Sequence, residues 1–420
     1  MKKKILCLTL GAFLLSAPLA WAEDSAQKLT LDESIRLALE NNLNIHLADK
    51  NIQIAKKDYT AAKNARWGGA TINNSYTDYE NGNEIYADGV NVSIPLYSGG
   101  KLEAQQKAQK YSWENSKKTF QRTVEATIYD TQDGYYSVLR CERLVNVAEE
   151  YLTRMRSHLK VAKAKFTNGM VAKIDVLNAE VEVSKAEQQL IESKNELDIS
   201  KSKFNNILNR PLSTPFEVVD NLESSSYAYG DKTLEQLIAK AYENRQEIKI
   251  AENNVKIAEQ NVKKERAEFI PTLDLNGGYN WESNDKFFDN GSWKVGLSST
   301  FSLSPATKSS IDSAKIAVEK AKVALEQQQQ DIALEVRQAY LNVVRAEKVL
   351  ATCKTTVKQA KESDKIAEVR YREGVGTSTE RIDAQNELTN AETNYANALY
   401  NLNLTRAALE KALGQDVAVK

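Results

Sequence analysis

The residue types that do chemistry are sparse in this chain and badly placed for it. Its two histidines, His46 and His158, fall on different helical stretches without partners at ligand spacing. No metal centre is expected from them, and both read as structural or surface residues. "GVGTST", Gly374–Thr379, has the glycines of a phosphate loop but no lysine, and it follows a helix where a strand is needed. It reads better as a tight helix–turn–helix, with Gly374 stopping one helix and Thr377 or Ser378 capping the next. Gly169 plays the same part in an earlier turn. Acid–base neighbours such as Glu142 and Arg143 read as solvated helix faces. No nucleophile–base–orienter set can be assembled from sequence neighbours. No catalytic or cofactor-binding residue is expected, so no cofactor and no enzyme. One acid pair stands out: Glu380 and Asp383, three apart at the start of the last helix, share a face. Acids there can act as dipole partners or caps.

The elements that would position these residues are long and repetitive. In "GVNVSIPLYSGGKLEAQQKAQK", Val90, Val92, Ile94 and Leu96 alternate with polar or small residues, as on a strand with one apolar face. After Gly99-Gly100 the text turns helical until about Phe166, which at ~1.5 Å per residue is roughly 100 Å of helix. Within it Leu144, Ala148, Tyr151, Met155, Leu159, Ala162 and Phe166 step by threes and fours, a straight apolar seam.

The opening "MKKKILCLTLGAFLLSAPLAWA" has lysines, a short apolar run and a small-x-small ending, so residues 1–22 read as a secretory signal peptide. Beyond it nothing reaches the ~18 apolar residues of a membrane helix. The 56 basic residues balance the 57 acidic ones, which argues against a nucleic-acid partner. Cys141 and Cys353 are too few for a disulfide framework and read as packing residues.

The chain is written twice. "LTLDESIRLALENN" from Leu29 matches "KTLEQLIAKAYENR" from Lys232, "YYSVLRCERL" from Tyr135 matches "YLNVVRAEKV" from Tyr340, and Gly169 matches Gly374. The shift stays at about 204 residues, far outside solenoid periods. Two structural repeats follow, 23–210 and 232–414, joined by a Pro- and Ser-bearing linker at 211–231 and ending in a short tail, 415–420. Each carries a middling helix (Leu31–Arg66; Leu234–Ala267), two strands, a very long helix (Lys101–Phe166; Lys308–Tyr371), a glycine turn and a last helix (Ile174–Leu208; Thr379–Leu413).

Four strand candidates arise from these repeats. Leu273, Leu275, Tyr279 and Trp281 alternate with polar residues, as do Trp293, Val295, Leu297, Phe301 and Leu303. About ten alternating residues with aromatics near the ends is the form of a transmembrane β-strand. The predicted lipid-facing set is Val90, Val92, Ile94, Leu96, Leu273, Leu275, Val295, Leu297 and Phe301. Four strands cannot close, and an open edge in hydrocarbon costs several kcal/mol per unpaired group. If these strands span lipid, several chains must share a barrel. The predicted class is α+β: long coiled helices continuous with a shared transmembrane β-barrel, four strands per chain, internally duplicated.

The duplicated plan, "PLYSGGK" (Pro95–Lys101) between strand and long helix, and "G-x5-D/E-x3-A" after each long helix resemble the TolC-like outer-membrane efflux proteins over nearly all of the mature chain. The resemblance implies a homotrimer in the cell outer membrane, with its helices in the periplasm, docked to a periplasmic adaptor protein and an inner-membrane pump. It implies that Glu380 and Asp383 line the entrance as acidic rings, that Asp175 and Tyr371 help latch it, and that two turns, Gly169-Met170-Val171 and Gly374-Val375-Gly376, meet the adaptor. The chain departs from the family pattern at Gly376, where the family has an arginine. It departs again at "FSLSPATKSS", which lacks the glycine pair of "PLYSGG". The implied function is an exit duct for efflux or type I secretion. The alternative is a structural periplasmic coiled-coil protein tethered to the envelope.

Overall fold

The computed structural model describes residues 27–80, 82–220, 232–302 and 304–414. The expected signal peptide, the tail and linker residues 221–231 lie outside them. Each half runs through the same order. The first has β1 (Gln27–Leu29), α1 (Leu31–Asn41), α2 (Leu43–Asn64), β2 (Gly69–Asp78), β3 (Glu84–Tyr97), α3 (Lys101–Thr167) and α4 (Lys173–Ile207). The second has β4 (Phe216–Val218), α5 (Leu234–Asn244), α6 (Gln246–Arg266), β5 (Thr272–Ser283), β6 (Gly291–Thr300), α7 (Pro305–Arg372) and α8 (Ser378–Ala412). Among the described residues no helix is long and apolar enough to cross a membrane.

The middling helices were expected unbroken, and both break. Asn42 turns extended, caps α2 by accepting the Asn44 N–H at 2.9 Å, and donates to the Ile207 carbonyl at 3.1 Å. Arg245 is the counterpart, donating to the carbonyls of Lys411 and Ala412 at 3.4 and 3.2 Å while pairing with Glu247 and Glu335. The last carbonyls of a helix have no partner within it. In each half the residue that breaks the first helix therefore caps the end of the last one.

Long helices pair with short ones through apolar seams. In the first half Leu29, Ala38, Tyr135, Leu139, Phe204, Leu208 and Phe216 form one cluster, and Tyr151, Leu152, Met155 and Ala186 form another. The predicted α3 seam is broadly the buried face, with corrections: Val145, Leu152 and His158 are buried, Leu144 and Leu159 only partly so, and Phe166 is exposed. Part of the expected linker forms structure. β4 pairs in parallel with β1, and the buried Tyr135 hydroxyl donates to Val219 O at 2.7 Å.

β2, β3, β5 and β6 form one antiparallel sheet in that order. Register puts Ile72, Val90, Tyr279 and Trp293 in one row, Ala70, Val92, Gly277 and Val295 in the next, and Ile94, Leu275 and Leu297 in a third. Leu273 follows on the same face. The opposite face carries Thr71, Asn73, Asn91, Ser93, Asn276, Asn280, Lys294 and Ser298, with Asn276 donating to Ser298 at 2.7 Å. Two of the nine predicted apolar positions need correction. Leu96 sits at a bulge between Pro95 and Tyr97, and Phe301 lies one residue beyond β6. Rings gather at the loop end, with Tyr76–Tyr86 at 5.1 Å, Tyr86–Phe287 at 4.8 Å and Trp281–Phe288 at 5.5 Å. Asp88, on the apolar face, is held by Asn74 at 2.6 Å and the Phe288 N–H at 2.9 Å.

The two strand-to-helix joints differ as their sequences do. Gly99 and Gly100 both take positive φ before α3. Before α7 the turn needs no glycine: Ser304 caps the Ala306 N–H at 3.2 Å and Pro305 opens the helix.

Candidate functional site at the hairpin tips

Far from the sheet, α3 turns into α4 and α7 into α8. Gly169 and Gly374 take φ of 72° and 81°, a conformation that costs other residues about 1 kcal/mol or more. The chain closes behind them in the same way, Met170 N–H to Lys165 O at 2.9 Å and Val375 N–H to Arg370 O at 3.0 Å. Met170 and Val375 are left exposed at the tips, and Val171 and Gly376 are half-buried beside them.

Both helices leaving the turns start with an acid at the third position. In α8, Thr377 accepts the Glu380 N–H at 3.1 Å while Glu380 accepts the Thr377 N–H at 3.3 Å, a full capping box. Asp175 accepts the Ala172 N–H at 3.2 Å, but Ala172 has no side-chain oxygen, and its backbone carbonyl takes the Asp175 N–H at 3.1 Å instead. Glu380 also lies 3.7 Å from Arg370. Asp383 is exposed on the same stripe of α8, which continues through Glu387, Asn390 and Asn394. Glu387 is a third acid on that face, at a spacing readable in the sequence but not drawn from it.

The two expected latch residues do not touch. They converge on a third side chain that sequence reasoning set aside. His158, buried on α3, lies against the Tyr371 ring at 4.9 Å and shares a hydrogen bond with Ser378 Oγ at 3.0 Å. Burial, and then the Arg381 charge, push its pKa down to about 4, with Asp175 acting in the opposite sense. Tyr371 is buried too, which raises its pKa, and Lys165 sits 5.0 Å over its ring. Arg381 is buried in an ion pair with Asp364 and lies 3.7 Å from Glu368. The sequence signal for this cluster was one histidine in a basic run, Arg154 to Lys163, with its hydrogen-bond partner Ser378 220 residues away.

The α3–α8 seam continues away from the tips as a ladder of polar contacts. Tyr151 donates to Asn386 at 2.7 Å, Arg154 to Thr389 at 3.1 Å, and Tyr400 to Asp133 at 2.6 Å. Apolar clusters pack the α3–α4 hairpin, whereas the α3–α8 seam between hairpins carries these side-chain hydrogen bonds. Among the described residues no group of three or more His, Cys, Asp or Glu could hold a metal ion.

Sequence comparison with curated proteins returned no match. The family model for outer membrane efflux proteins matches residues 34–210 and again 237–415. The chain belongs to the outer membrane efflux protein family. The fold agrees with solved members of that class. The open state of the Neisseria gonorrhoeae MtrE outer membrane channel matches with a TM-score of 0.76 at 20% identity, over 91% of this chain and 88% of that one. The Campylobacter jejuni CmeC outer membrane channel matches at 0.77 and 19%, over 91% and 85%. A membrane protein from Pseudomonas aeruginosa matches at 0.79 and 18%, over 93% and 92%. As an outer membrane efflux protein the chain is an exit duct: a channel in the outer membrane whose helices extend into the periplasm.

Proposed function

We propose that three copies of the chain close into one passive duct, served from the periplasm by an adaptor and from the inner membrane by a pump. The observation that carries this reading is the four-stranded sheet, apolar on one face and polar on the other, with β2 and β6 as open edges. Hydrocarbon does not tolerate open edges, and single-chain barrels need at least ~8 strands. Three copies supply twelve. Two exposed apolar rows on the helices support lateral contacts in the same assembly. One runs along α7 through Ile316, Val323, Leu334 and Leu341, and one along α4 through Ile174, Leu177, Val181 and Ile191. In this reading residues 23–210 and 232–414 are two structural repeats, each supplying two staves. The purified protein is expected to run as a trimer by light scattering in mild detergent and to conduct as single channels in bilayers. A monodisperse monomer overturns the shared barrel. A trimer that never conducts favours an envelope spacer.

The entrance lies at the hairpin tips. Glu380 and Asp383, exposed on one face, become two stacked rings of three carboxylates, a focused negative field. Because Glu380 also caps α8, Glu380→Ala would remove a cap as well as a charge, at about 0.5–2 kcal/mol of helix stability. Glu380→Gln keeps the capping box and removes only the charge. Cation selectivity is expected in the native channel and its loss in Glu380→Gln/Asp383→Asn. An unchanged reversal potential in that double variant would reduce both residues to helix caps.

A further inference from the structure

The α3–α4 hairpin is packed by apolar clusters, the α7–α8 hairpin is tied near its tip by the buried Arg381–Asp364 ion pair, and side-chain hydrogen bonds join α3 to α8 between the two hairpins. The side-chain hydrogen bond nearest the tips is made by His158, with Lys165 over the Tyr371 ring beyond it. We propose that His158 is a pH-sensitive clasp of the entrance: the neutral ring ties the hairpins together through Ser378 and Tyr371, and its protonation lets them part. The proposal takes the tips as the entrance, and so rests on the duct reading.

The surroundings favour a neutral ring. From α8 it meets the Ser378 hydroxyl and the Arg381 guanidinium, and from α7 the Tyr371 ring. Asp364 and Glu368 of α7 are turned to Arg381. On α4 the one opposing charge is Asp175, whose carboxylate already accepts the Ala172 N–H. On its own helix, Lys165 stands 5.0 Å over the Tyr371 ring. An imidazolium here would be buried beside a guanidinium, with its nearest carboxylate engaged elsewhere.

The direction of the pH effect follows from linkage. With hairpins apart, the solvated ring takes its ordinary value near 6.5, and with hairpins together it is held at about 4. The clasp is at full strength above the higher value and weakens as the pH falls toward the lower one. Between about pH 7 and about pH 5 the balance should shift toward parting by roughly 20-fold.

The test uses the full-length assembled protein at those two pH values, with two readouts on the same samples. One is open probability in planar bilayers; the other is amide-exchange protection of residues 378–385, corrected for intrinsic rates. Native protein should open about tenfold or more as the pH falls, with protection dropping in parallel. His158→Gln, which still reaches Ser378 but does not titrate, should stay closed and protected at both. His158→Lys should be open at both. If currents are silent in every variant while protection still depends on pH through His158, the clasp stands and the duct reading fails. If His158→Gln keeps the native pH response in exchange, or native protein shows none, the clasp is wrong. Should His158→Lys not assemble, the Gln comparison alone decides.

Discussion

Leu297→Arg is expected to strip the protein from the outer membrane. Leu297 is exposed on the apolar face of the sheet, in one row with Ile94 and Leu275. An arginine on the lipid face of a barrel costs ~2–4 kcal/mol at mid-bilayer. A trimer would carry the change three times, so the penalty approaches the whole stability of an ordinary domain. Val92→Arg, one row away, should behave alike. Ser93→Arg is the internal control, because Ser93 lies on the polar face opposite Asn276. It should reach the membrane in near-native amounts and change conductance. Equal abundance of all three variants in fractionated outer membranes would mean the faces are assigned the wrong way round.

The second large effect is expected at the tips. Gly169→Asp or Gly374→Asp would combine a new charge with backbone strain, since both glycines have positive φ. Met170 and Val375 allow a cleaner test, being 65% and 71% exposed apolar side chains on the same two turns. Met170→Asp/Val375→Asp should leave folding, trimer and conductance intact and abolish export in cells, because an acid buried between partner helices is unpaired. Export at the native rate in the double variant would refute docking at these turns. Lost conductance would instead make the tips part of the passage itself.

What was legible in the sequence, and what was not, follows from how far apart the deciding residues lie. Strands β3, β5 and β6 announced themselves because one face is apolar and the other is not, a period of two carried within about ten residues, whereas β2, with Ile72 and Tyr76 in a polar setting, was the weakest candidate. Glu380 and Asp383 were legible as a shared face because helical spacing is local. The breaks at Asn42 and Arg245 were not legible, because the groups that require them are carbonyls 165 and 167 residues away. The β1–β4 ladder hid in a stretch whose prolines and serines suggested only a linker, and three-residue strands carry no period. His158 was visible but uninterpretable: its partner Ser378 is 220 residues distant, and nothing near His158 signals the meeting. Element types were local information, whereas the clasp and caps were tertiary.

The ends of the four-stranded sheet have a kinetic consequence. A lone chain has two raw edges, one on β2 and one on β6. Joining a second chain edge to edge buries one of each, yet the pair still presents two. Unpaired strand edges are templates for any passing strand, so a half-built assembly is as sticky as a single chain and gains no protection from its first partner. Only ring closure removes the last edges, all at once. Assembly should therefore accumulate almost no dimer, depend steeply on chain concentration, and need an escort that shields β2 and β6 between export and closure.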